Sequence, residues 1–227
     1  MAYLKVDVIR LDFAEVWRWG NPATFAVFAM RKLLGWRMYG PVLIPDAPGI
    51  VKLSADEVRD DLRAALRSTV KEVAACDFEP LFHYRVATQG PSEGIAVAFL
   101  HSSRRAVCLM VHASSGATRK VATSLVTRVE AGRFVATGSG GTTFNSPPEV
   151  DAVRLPGQAP AAIVAAHLKR IDGRRRSLIV EASEVENLIL DLQRLTLEYN
   201  IRRGVYVPAI EPGAPRANGD SRGGRVG

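Results

Sequence analysis

The sequence predicts an α+β protein in which an antiparallel meander of five or six strands carries helices packed on one face. Two observations lead there. Within residues 78–155 apolar side chains recur at every second position in short runs broken by turn residues, the pattern of half-buried strands. On either side, residues 55–75 and 183–201 follow serine-headed capping boxes and repeat their apolar positions at helical spacing.

Taken in order, residues 3–13 place Leu4, Val6 and Val8 on one parity and Lys5 and Asp7 on the other before the alternation slips at Ile9. That is a strand, or the lead-in to a helix. Residues 13–39 are dense in aromatics and hold all three tryptophans. Asn21 and Pro22 break any helix at that point, and a second helical piece is expected over 22–38. Pro41, Pro45, Pro48 and Gly49 then form an extended connector. The chain accordingly divides into an aromatic, basic N-terminal segment (1–50), an α+β domain (51–207) and a tail (208–227). In the tail Pro, Gly, Asn and Arg leave no apolar period, and disorder is expected.

Ser54 and Glu57 make the first capping box, followed by Val58, Leu62, Leu66, Val70 and Val73 on one helical stripe. The opposite face carries Arg59, Arg63, Arg67 and Lys71 and is expected to be solvated. Strands follow around Phe82, Tyr84 and Val86; Ile95, Val97 and Phe99; Val107, Leu109 and Val111; and Val121, Leu125 and Val129, with shorter ones over 133–137 and 150–155. Connections this short hold no crossover helix, so the sheet is expected to be antiparallel. Pro160 suits the first turn of a helix stopped by Gly173. Ser183 and Glu186 open the last helix, whose Val185, Leu188, Ile189, Leu192, Leu195 and Tyr199 form one stripe. If residues 3–13 are a strand, the order strand, helices, meander, long helix resembles the helix-grip arrangement of START-like domains. That resemblance, carried by element order and no motif, implies an apolar ligand held between sheet and C-terminal helix.

At 227 residues with 47% apolar side chains the chain can bury one sizeable core. The best apolar run, 23–30, is cut off by Arg31 and Lys32, well short of the roughly 18 residues that span a bilayer. Lys5, Asp7, Arg10 and Asp12 interrupt any secretory h-region, so the mature chain is expected to begin near Met1 and to be cytoplasmic. Cys76 and Cys108 are then small apolar residues rather than a disulfide. The net charge of +7 is spread thinly, no segment exceeding +3. Short clusters such as Arg104-Arg105 and Arg202-Arg203 lie at turns and helix ends, which argues against nucleic acid as the partner.

Motifs for chemistry are sparse. Gly138, Gly140 and Gly141 follow a strand but precede Pro147 and Pro148 instead of a helix, and no P-loop lysine is present. The four histidines are scattered, no helix offers an HxxxH pair, and neither a metal nor a cofactor is predicted. His167 falls on an apolar stripe and reads as a satisfied interfacial histidine. His101, Ser103, Arg105 and Ser139 form a candidate polar site borne on turns, although no serine stands in GxSxG. The N-terminal segment is the least ordinary stretch. Trp17, Trp19 and Trp36 beside Arg31, Lys32 and Arg37 match a helix lying in a membrane interface; the favoured alternative is that the tryptophans fill the core.

The leading functional expectation is a non-catalytic module that binds a small apolar ligand or a protein partner, because apolar faces are plentiful and convergent chemistry is not. Two alternatives stand beside it. One is a peripheral membrane or scaffold protein contacting its partner through Trp17, Trp19, Arg31, Lys32, Trp36 and Arg37. The other is a hydrolase-like enzyme using the turn-borne residues. A homo-oligomer is compatible with any of them.

Overall fold

Residues 3–7 and 206–208, far apart in the chain, meet in one small sheet. The computed structural model describes residues 2–18, 22–86, 92–115, 118–140, 144–172 and 177–209. Strand β1 (Tyr3–Asp7) lies between β2 (Tyr39–Pro45) and β10 (Tyr206–Pro208), antiparallel to both. Residues 3–13 are therefore strand first and helix lead-in second: after Asp7 come a 3-10 turn over Val8–Arg10 and helix α1 (Phe13–Trp17). Asp12 starts α1 with its backbone N–H on Glu15 Oε2 at 2.7 Å. Helix α2 (Pro22–Leu33) stops five residues before the expected end. Gly35, at φ +67°, lets the N–H of Trp36 reach the carbonyl of Arg31 (2.9 Å) and its own N–H reach that of Lys32 (3.3 Å), a glycine-terminated cap. The first part of the proline connector, up to Pro45, proves to be a strand. Pro41 and Pro45 are tolerated because β2 is an edge, where a missing donor goes unused.

Leu4, Val6, Val8, Leu11, Val16 and Phe28 form a core of their own with Leu197, Val205 and Tyr206. The expected N-terminal segment is thus packed onto the end of the expected α+β domain. Ala209 continues the pairing by donating to the carbonyl of Tyr3 (2.8 Å). Residues 210–227, most of the expected tail, lie outside the described residues.

The large sheet has seven strands rather than five or six, in the order β3 (Ile50–Leu53), β4 (Phe78–Val86), β5 (Ser92–His101), β6 (Val107–Ser115), β7 (Thr118–Val129), β8 (Arg133–Gly138) and β9 (Val150–Arg154). Neighbours are antiparallel except β8 and β9, which run parallel with Phe134 opposite Val150. The expectation of a wholly antiparallel sheet is corrected here. The eleven residues 139–149 separate β8 from β9, and the Glu149 carbonyl receives the Phe134 N–H at 2.8 Å.

Helices cover both faces, not one. The stripe of α3 (Asp60–Ala74) and that of α4 (Pro160–Asp172) meet Val97, Phe99, Cys108, Met110 and Leu125. Helix α5 (Val185–Arg202) meets the other parity: Ala98, Leu100, Val107, Val126 and Phe134. Strands β5 to β8 are apolar on both parities, so each face needs a cover. The Ser54 capping box is present, its N–H on Glu57 Oε2 at 2.7 Å, but it heads a 3-10 turn before α3. At α5 the box is formed two residues early, by Glu181 N–H and Glu184 Oε2 at 3.0 Å.

Candidate functional site

Among the described residues α5 is the one helix packed on the second face of the seven-stranded sheet, and a single helix about 10 Å wide leaves that face incompletely filled. Toward β8 and β9 the sheet presents small residues, Ser124, Ala136, Gly138 and Ala152, and a cavity of 120 Å³ remains between them, Phe144 and α5. On the other flank a groove of 270 Å³ lies between α5, Tyr206 and the connector carrying Ile44, Pro45 and Pro48. Leu192 and Thr196 line both. They stand one turn apart on the same helix face, so they form the wall between the two spaces. Thr196 turns its hydroxyl onto the carbonyl of Leu192 (2.9 Å), which satisfies its polar atom within the helix. Gln193 Oε1 accepts the Gly49 N–H at 3.2 Å and ties the groove's lip to the helix. Leu192, expected to be buried on its stripe, is therefore only half-buried.

A second, polar cleft of 540 Å³ opens where β4, β5 and the β5–β6 turn meet residues 181–182. It gathers His101, Arg104, Asp77, Glu79 and Glu181, with Arg104 bonded to Glu181 at 2.7 and 2.9 Å. Of the four residues expected to form a polar site, the fold joins two. His101 Nδ1 lies 2.7 Å from Ser103 Oγ and accepts the Ser103 N–H at 3.1 Å, which places the ring proton on Nε2. Burial holds His101 below the usual histidine range, partly opposed by Asp77. No carboxylate hydrogen-bonds the ring among the described residues, so the third member of a triad is missing. Arg105 points elsewhere, with Nε on Ser177 Oγ at 2.5 Å and Nη2 on the Ile171 carbonyl at 3.3 Å. Ser139 is three strands away, about 14 Å across the sheet, where its Oγ accepts the Thr123 N–H at 2.9 Å. No group of three or more His, Cys, Asp or Glu able to hold a metal occurs among the described residues.

The N-terminal aromatics depart from the favoured expectation. Trp17 is 62% exposed and Trp36 58%, because the core beneath α1 and α2 is already filled by Leu11, Val16 and Phe28. Trp17 makes an edge contact with Phe25 at 5.1 Å and otherwise faces out. Trp19 lies outside the described residues. Arg37 is exposed, its Nη1 3.5 Å from the Tyr39 hydroxyl, while Arg31 and Lys32 are half-buried. Lys32 donates to the Leu11 carbonyl and sits over the rings of Phe13 (5.1 Å) and Phe28 (5.4 Å).

No family model, curated protein or solved structure matches this chain. Functional assignment therefore rests on the geometry alone. Sequence reasoning overlooked Thr196, Phe144 and the proline connector as cavity walls. The available signal was the pair of apolar parities in β5 to β8: two buried faces with one long helix for the second imply unfilled space beside it.

Proposed function

We propose that the chain is a non-catalytic binding module that holds a small neutral apolar molecule beside α5. The observation that supports this is the pair of apolar spaces sharing Leu192 and Thr196, of which the smaller lies between the seven-stranded sheet and the C-terminal helix, where a helix-grip arrangement would place a ligand, and the larger on the opposite flank of that helix. The volumes set the ligand's size. An apolar cavity of roughly 150 Å³ accommodates one aromatic ring, and drug-sized sites begin near 300 Å³. A single or fused ring, or a short alkyl chain, suits 120 and 270 Å³. Specificity comes from shape, since the lining is mostly apolar.

Native mass spectrometry of the purified full chain, followed by titration with naphthalene and octanol, tests the reading. Retained mass or saturable binding in the wild type, lost when Leu192→Trp fills the wall between the two spaces, is the expected result. Failure of the wild type to bind either probe, with no retained ligand, refutes it.

A further inference from the structure

We infer that the outward face of α2, with Trp17 and Trp36 at its two ends, docks on the surface of an anionic lipid bilayer. This goes beyond the ligand reading and does not depend on it. Exposed residues of α2 and of the turn that follows it include 23, 26, 27, 30, 33 and 34, the spacing of one helical stripe. All are apolar: Ala23, Ala26, Val27, Met30, Leu33 and Leu34. All are exposed, Leu33 at 82%. A helix with an apolar stripe toward the core is ordinary; this one carries a second stripe toward solvent while its inner stripe is satisfied by Phe28 and Phe25. Phe28, Leu11 and Val16 fix the helix to the small sheet, so the outer stripe is presented on a rigid support.

Charge selects the partner. From Pro22 to Pro45 there is no acidic residue, while Arg31 and Arg37 lie at the C-terminal end of α2 and Arg18 follows Trp17; Lys32 turns inward to the Leu11 carbonyl. Of the three acidic residues that precede them, Asp12 and Glu15 are both engaged by Arg203, at 3.4 and 2.5 Å, and Asp7 is buried. The rim of the apolar stripe is thus cationic, complementary to anionic headgroups, and indole rings at both ends match the headgroup depth that tryptophan favours. Twelve residues of helix span only about 18 Å, less than the roughly 30 Å hydrocarbon core, so the helix lies along the interface and does not cross it. A protein partner or a second copy would cover the same stripe, but neither is singled out by a rim of one sign.

The test uses the full chain with vesicles of phosphatidylcholine alone and of phosphatidylcholine with phosphatidylserine. At about 0.15 M salt the protein should sediment with the anionic vesicles, its tryptophan emission shifting to the blue, and it should be released as salt rises. Met30→Glu with Leu33→Glu alters two exposed side chains and should lower binding at least about tenfold with an unchanged melting temperature. Should that variant fail to fold, Arg31→Gln with Arg37→Gln supplies the second measurement: weaker binding with a flatter salt dependence supports docking. Absence of wild-type binding to anionic vesicles overturns the inference, as does binding that survives either pair of substitutions in a folded protein. Self-association that the Met30/Leu33 pair abolishes, without vesicle binding, overturns it in favour of a second copy.

Discussion

Arg203, immediately after α5, donates to both carboxylate oxygens of Glu15 in α1, at 2.8 Å (Nη1 to Oε1) and 2.5 Å (Nη2 to Oε2), across 188 positions of chain. Glu15 is fully buried and also accepts the backbone N–H groups of Asp12 and Asn145. One side chain thereby fastens α1, the 144–154 segment and the end of α5 at a single point.

Removing one partner leaves the other buried and uncompensated. Arg203→Met is expected to cost about 3 to 5 kcal/mol in a denaturant titration. The double variant Glu15→Leu/Arg203→Met should cost less than Arg203→Met alone, because it removes the stranded charge. A double variant as damaged as the sum of its singles would show that the pair acts independently. Burial alone would raise the Glu15 carboxyl, but the Arg203 guanidinium and the two backbone donors outweigh it, leaving the group below its ordinary 4.5. The unfolded chain therefore binds this proton first as pH falls, and the stability contributed above 4.5 is lost below it.

His167 sends its two ring nitrogens to Thr127 Oγ1 (2.9 Å) and Thr137 Oγ1 (3.0 Å) under α4, with no exposure. Burial, with Arg170 adding to it, pushes its pKa down to about 4 from 6.5. Because the folded state resists the proton, stability is unaffected above 6.5 and falls as pH drops from 6.5 toward 4. At about 1.36 kcal/mol per unit the full loss is about 3 kcal/mol. Urea midpoints of the wild type should decline across this window, and those of His167→Gln should decline less; parallel curves would contradict the assignment.

His112 is buried with neither ring nitrogen hydrogen-bonded among the described residues. It lies on β6 opposite Ile95 and Val121, on the parity of Cys108 and Met110. An unsatisfied buried polar group costs about 1 to 3 kcal/mol, so His112→Leu should raise stability by about 1 kcal/mol. A loss of stability in the variant would reveal a partner for the ring.

Leu188 and Leu192 share the stripe of α5 and differ in surroundings. Leu188 is fully packed, and Leu188→Ala should cost about 2 to 5 kcal/mol. Leu192 already borders two spaces, so Leu192→Ala removes fewer contacts and should cost about 1 kcal/mol. Equal costs measured by chemical denaturation would mean that the spaces close around Leu192.

Periodicity determined the local elements. Val97 and Phe99, or Leu188 and Ile189, repeat at spacings set by backbone geometry, so strand and helix are legible within a few neighbouring residues, and Pro160 marks a helix start for a steric reason equally local; the cap at Gly35 is equally local, but sequence reasoning overlooked it and expected the helix to run to residue 38. The α+β class followed from them. What the sequence left open depends on residues far apart in the chain. Ala96, Ala98 and Leu100 are small or apolar enough to be buried, but only docking of α5 showed that their face is covered separately from that of Val97. The edge position that lets Pro41 and Pro45 sit in a strand exists because β1 lies between β2 and β10. Trp17 and Trp36 have the composition of core residues, and volume decided against it: Leu11, Val16 and Phe28 filled the space first. His101 met Ser103 because two positions within one turn are always close, whereas Arg105 and Ser139 were drawn to Ser177 and Thr123 by contacts that no local pattern encodes. Secondary structure is selected by torsions and by spacing along the chain; exposure, cavities and ion pairs such as Glu15 with Arg203 are selected by which surfaces compete for the same space.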